Sequence, residues 1–108
     1  MLSSQVIQAA VDRMVGVAHS PVKVILFGSY ARGQAQDASD LDLLVVEDEV
    51  PNLAEEYGRL RGAIGPVEAG VDLLIYPLHE FERRQNWQTS PVFDAVRGGQ
   101  VLYERRAG

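Results

Sequence analysis

Cysteine is absent from the 108-residue chain. That excludes disulfides, a thiolate nucleophile and any cysteine zinc site. Apolar residues make up 46%, yet no run of them approaches the ~20 residues of a membrane-spanning helix. A basic N-terminal segment is also missing. Asp12 comes before any long apolar stretch, so no signal peptide is read and a cytoplasmic protein is expected. Positive charge is scarce: 10 Lys and Arg stand against 15 Asp and Glu, a formal net charge of −5. A domain built to grip nucleic acid would carry a basic face, so direct nucleic-acid binding is not expected. A nucleotide substrate is not excluded, because a metal ion neutralises a triphosphate locally.

Two familiar phosphate motifs are lacking as well. Gly28 and Gly33 have the spacing of a Walker A loop, but Gln34-Ala35 follows in place of Lys and Ser or Thr. No G-x-G-x-x-G follows a strand, which leaves a dinucleotide fold without support. His19 and His79 are isolated, so no histidine cluster offers itself to zinc.

What is present suits one α/β domain over residues 1–108, with apolar content enough for a core. Residues 3–18 read as an amphipathic helix through Val6, Ala10, Met14 and Val17, with Ile7, Val11, Val15 and Ala18 widening the stripe. Strands are expected at 22–27, 41–47, 67–76 and 100–103. Helices are expected at 53–64 (through Leu53, Tyr57, Leu60 and Ile64), 78–87 and 90–97, and a turn opening a short helix at 28–32. The tail from Arg105 is expected to fray.

Chemistry concentrates in Phe27-Gly28-Ser29-Tyr30-Ala31-Arg32-Gly33, followed by Ser39-Asp40-Leu41-Asp42-Leu43-Leu44 and later by Val71-Asp72-Leu73-Leu74-Ile75. A Gly-Ser turn at a strand end can offer backbone N–H groups to phosphate. Asp40 and Asp42 share one strand face, ~6.6 Å apart along the chain, so both carboxylates can lean toward a metal pair. Asp42 and Asp72 each interrupt an apolar strand, where Asp is depleted and an unpaired buried charge is costly. Three aspartates without cysteine or clustered histidine suit Mg²⁺. Each residue has a plainer reading: Asp40 as a turn residue, a single strand Asp as a salt-bridge partner. Arg32 is equally suited to reach a phosphate or to pair with Asp37 or Asp40. Trp87, Phe93 and the tyrosines Tyr57, Tyr76 and Tyr103 read as core, rim or docking residues.

At these residues the chain resembles the minimal nucleotidyltransferases (MNT) of the DNA polymerase β-like superfamily. The matching pattern runs from Gly28 to Gly33, from Ser39 to Val45, from Val71 to Leu74, and on through Pro91-Val92-Phe93 and Gly98 to Glu104. The resemblance implies a small mixed β-sheet backed by helices, like the polymerase β palm. It implies that Gly28 and Ser29 hold the triphosphate of ATP with Arg32 beside them. Asp40 and Asp42 would bind two Mg²⁺ ions, and Asp72 would complete the catalytic metal site. The implied reaction is metal-dependent transfer of AMP to an acceptor hydroxyl, releasing pyrophosphate.

Short proteins of this kind resemble the antitoxin of HEPN/MNT toxin–antitoxin systems. The acceptor implied is a tyrosine of a HEPN toxin partner, with docking expected near Phe81, Trp87 and Phe93, in a homo- or hetero-oligomer. A small-molecule nucleotidyltransferase and a non-catalytic module that masks a partner are the alternatives.

Overall fold

The computed structural model describes residues 1–106. Its elements run α1 (Ser4–Val17), β1 (Pro21–Phe27), α2 (Gly28–Ala31), β2 (Leu41–Glu47), α3 (Leu53–Ile64), β3 (Val71–Pro77), α4 (Leu78–Arg84), α5 (Pro91–Gly98) and β4 (Gln100–Glu104). Side-chain caps start three of the helices. Ser3, Asn52 and Ser90 accept from the N–H groups of Val6, Glu55 and Val92, each satisfying an orphan donor of a first turn.

The four strands form one mixed sheet in the order β3-β2-β1-β4. β1 pairs antiparallel with β2 and with β4, whereas β2 and β3 are parallel. The parallel pair needs a crossover, and α3 supplies it.

Alternation along the strands sorts the core into two layers. Leu41, Leu43 and Val45 of β2 join Val24 and Leu26 of β1 under α1 and α3. Leu44 and Val46 join Ile25 on the other face, under Phe81 of α4 and Val92 and Ala95 of α5. The even-numbered residues of β2 and β3 therefore point to the α4/α5 side, and Asp42 and Asp72 are among them.

Several expectations shift. In α1 the buried stripe is Ile7, Ala10, Val11 and Met14, while Val6 and Val17 are 44% and 43% exposed. The helix turns its seam about one residue from the expected one, because β1, β2 and α3 cover that side. In α3, Leu53 and Tyr57 are exposed, and Glu56 takes the buried place in the seam with Leu60 and Ile64. β3 starts at Val71 and not at 67. Arg105 is tied down, its N–H donating to Val22 O at 2.8 Å and its guanidinium pairing with Asp48. Residues 107 and 108, also expected to fray, lie outside the described residues.

Candidate active site

Asp42 and Asp72 stand directly opposite each other across the parallel β2–β3 pair, and Phe27, which precedes the Gly28 turn, is opposite Asp42 on its other side. Strand pairing alone thus brings the turn and two carboxylates to one end of the sheet. Asp40 joins them from the loop before β2, where Leu41 N–H donates to Gly70 O at 2.8 Å.

Two glycines make room for these carboxylates. Gly28 has φ +72°, a left-handed conformation that an L side chain adopts at a cost. A Cβ there would stand 2.0 Å from Asp42 Oδ2. A Cβ on Gly70 would stand 2.3 Å from Asp40 Oδ1. Gly28 is also the first residue of α2, whose first turn has no side-chain cap. Its N–H groups are free to meet an anion.

The electrostatics carry the mark of a site short of positive charge. Burial pushes the Asp42 carboxyl above its ordinary value, the neighbouring Asp72 and Asp40 push it further, and Arg32 pulls it back. Asp42 is half-buried, while Asp40 and Asp72 are exposed. The exposure of Asp72 departs from the buried place expected for it. β3 is an edge strand, so its first residues meet solvent although their sequence is apolar.

Arg32 donates to Gln34 Oε1 at 3.2 Å. Asp37 instead holds the N-terminal amine of Met1 at 3.3 Å. Among the described residues no ion pair joins Arg32 to Asp37 or Asp40.

The donor set fits Mg²⁺ in kind: hard carboxylate oxygens, with like-charge repulsion that a cation would relieve. Among the described residues no group of three or more Asp, Glu, His or Cys side chains is arranged to hold a metal ion. A cavity of about 490 Å³ adjoins the turn, lined by Phe27, Gly28, Arg32, Asp94, Arg97 and Gly98. Sequence reading missed Gly70 and Arg97, since neither belongs to a recognisable motif. Another cavity, of about 370 Å³ between α1 and β4, has no carboxylate in its lining and Leu2, Ile7, Leu26 and Leu102 in its wall.

Among the expected docking aromatics, Phe81 is only 4% exposed and belongs to the core. Trp87 is exposed, with the guanidinium of Arg83 4.6 Å from its ring centre.

Solved structures share this architecture. A toxin–antitoxin complex with AMP-PNP contains a chain that superposes with a TM-score of 0.63 at 21% identity, over 97% of this chain and 76% of that one. A Shewanella oneidensis complex of a tri-AMPylated HEPN toxin with its MNT antitoxin matches with a TM-score of 0.58 at 19% identity, over 95% and 74%. By sequence, a Methanocaldococcus jannaschii protein assigned as a protein adenylyltransferase is 41% identical over 56 residues, which cover 52% of this chain and 56% of the relative. The chain thus matches a little over half the length of that relative. Another from the same organism, with the same assignment, is 32% identical over 82 residues, covering 75% of this chain and 77% of the relative. Residues 7–101, which hold the turn and all three aspartates, match the nucleotidyltransferase domain family, and the chain belongs to it.

Proposed function

We propose that this protein transfers AMP from ATP to a hydroxyl of a partner protein, with a tyrosine of a HEPN-type toxin as the acceptor and silencing of that toxin as the result. The observation that carries the reading is the register of Asp42 with Asp72, with Asp40 beside them and the Gly28 turn at the neighbouring strand end. The adenylyltransferase assignments of the relatives and the HEPN partner of a structural neighbour support it.

In this reading Asp40, Asp42 and Asp72 are the residues that would hold two Mg²⁺ ions, which would supply positive charge to the transferring phosphoryl group. The uncapped first turn of α2, with Ser29 in it, receives phosphate oxygens, and Arg32 adds charge at the rim. Asp72, which is exposed on the edge strand, would meet an acceptor hydroxyl and help activate it.

The test is incubation of the chain with labelled ATP, Mg²⁺ and a HEPN protein encoded beside it. Label on a partner tyrosine, lost in Asp42→Asn/Asp72→Asn, is the expected result. Neutralisation of the partner by that double variant, with no AMP on the partner, would establish a masking module instead.

A further inference from the structure

We infer that Arg97, on a helix distant in sequence from the Gly-Ser turn, grips the outer phosphates of a nucleoside triphosphate together with Arg32. This rests on reading the site as one for such a nucleotide.

Four observations converge on Arg97. It lines the same cavity as Gly28 and Arg32. α5 packs on the sheet face to which Asp42 and Asp72 point, with Val92 and Ala95 buried against Ile25 and Leu44. Its C-terminal end is held tightly there: a Cβ on Gly99 would stand 2.3 Å from Ala95 O, 2.6 Å from Ile25 Cγ2 and 2.9 Å from Leu26 O. Arg97 therefore sits on a firmly seated helix end. Finally, Arg97 is exposed and takes part in no ion pair among the described residues.

Its contact with Phe93 favours anion binding. The guanidinium lies 4.5 Å from the centre of the Phe93 ring. A guanidinium resting on an aromatic ring keeps its in-plane N–H groups for a partner, and two parallel N–H groups match a phosphate edge. Asp94 lines the cavity too, one turn earlier on α5, and among the described residues no ion pair joins it to Arg97. The site already concentrates three carboxylates, so a triphosphate entering it meets net repulsion away from the metals. A second arginine at the outer phosphates offsets that, and it would hold the pyrophosphate until release. The nucleoside and its α-phosphate are not expected to touch Arg97.

That division sets the experiment. ATP, AMP and inorganic pyrophosphate are titrated calorimetrically into the full chain and into Arg97→Gln and Arg97→Lys, with Mg²⁺ present. Arg97→Gln should weaken ATP and pyrophosphate by about tenfold, the loss of one charge-assisted contact, and leave AMP within about twofold. Arg97→Lys, which keeps the charge but not the fork, should fall between. An unchanged thermal midpoint shows that the fold is intact. ATP binding by Arg97→Gln within twofold of the parent overturns the inference, as does an equal loss for AMP. A parent chain that binds neither ATP nor pyrophosphate overturns the nucleotide reading itself, and the inference with it.

Discussion

The space that a side chain on Gly28 would fill is already taken by Asp42, whose Oδ2 lies 2.0 Å from where that Cβ would stand. The turn therefore cannot gain a side chain without displacing the carboxylate. Gly28→Ala should be doubly unfavourable. It forces a left-handed backbone at φ +72° on an L residue and pushes the carboxylate aside. A stability loss of about 1–2 kcal/mol is expected from the backbone, with AMP transfer falling much further. Thermal denaturation and a labelled-ATP assay on the same preparation separate the two effects.

Gly70→Ala probes Asp40 by itself. The backbone of Gly70 is ordinary, so only the approach of Asp40 Oδ1 is disturbed. The fold should survive with a midpoint close to the parent's, while the Mg²⁺ concentration needed for half-maximal transfer rises. An unchanged Mg²⁺ dependence would remove Asp40 from the metal-binding set.

Removing the central charge tests the cluster as a whole. Asp42→Asn relieves the repulsion from Asp72 and Asp40, so the metal-free variant should be at least as stable as the parent. Added Mg²⁺ should raise the midpoint of the parent and not that of the variant. Transfer should fall on the order of 10²–10³-fold, as when one preorganised electrostatic group is lost.

The other end of β2 predicts a pH dependence. Glu47 is wholly buried, and its Oε1 accepts from Ser20 N–H at 2.8 Å. Its Oε2 has no donor. Burial and the neighbouring Glu56 carboxylate push Glu47 from its ordinary 4.5 up to about 7, against the opposing pull of the Ser20 N–H and Arg59. Burial also acts on Glu56, but the Glu47 proton, the His19 N–H and Arg59 outweigh it and hold Glu56 below its ordinary value. Glu47 is therefore the protonated partner and Glu56 the carboxylate. A raised folded-state value gives stability that is complete below 4.5 and lost as pH climbs to about 7. The lowered value of Glu56 works the other way, its contribution fading as pH falls below 4.5. Midpoints should decline between pH 5 and 8, and Glu47→Gln, whose amide replaces the shared proton, should flatten that decline. A parent profile already flat across this range would contradict the assignment.

Arg13 ties α1 to the end of α3, its Nε donating to Ala63 O and its Nη2 to Ile64 O, both at 2.8 Å. These are carbonyls that the helix itself leaves unpaired. Arg13→Met should cost about 1.5–3 kcal/mol, the range for hydrogen bonds to a charged group, measured by denaturant unfolding, with transfer per folded molecule unchanged.

Much of this was legible in the sequence, for local reasons. α3 has the expected bounds because Pro51-Asn52 and Gly65-Pro66 punctuate its two sides, and β2 because polar Ser39-Asp40 and Asp48-Glu49 bracket its apolar run. The aspartates were visible because charge is conspicuous among leucines. What stayed hidden depends on which elements become neighbours. Nothing in Val71-Asp72-Leu73 says that β3 lies at the sheet edge, so the exposure of Asp72 was not readable. Glu47 closes the apolar run of β2 with nothing local to show that it is buried, yet the chain around His19 and Ser20 folds over it and Glu56 of α3 lies on the other side. Arg97 lies far from Arg32 in the chain, and only the seating of α5 on β1 brings the two to one cavity.

β2 begins among hydrated carboxylates and ends in a dry one. Side chains alternate along a strand, so sliding β2 by a single residue would turn Asp42 toward α1 and α3 and take it out of line with Asp72. The same slip would tear Glu47 from Ser20 and Glu56 and strand its carboxyl among apolar atoms. The sealed end thus acts as a latch on the alignment of the open one, and the register of Asp42 with Asp72 depends on a residue five places away.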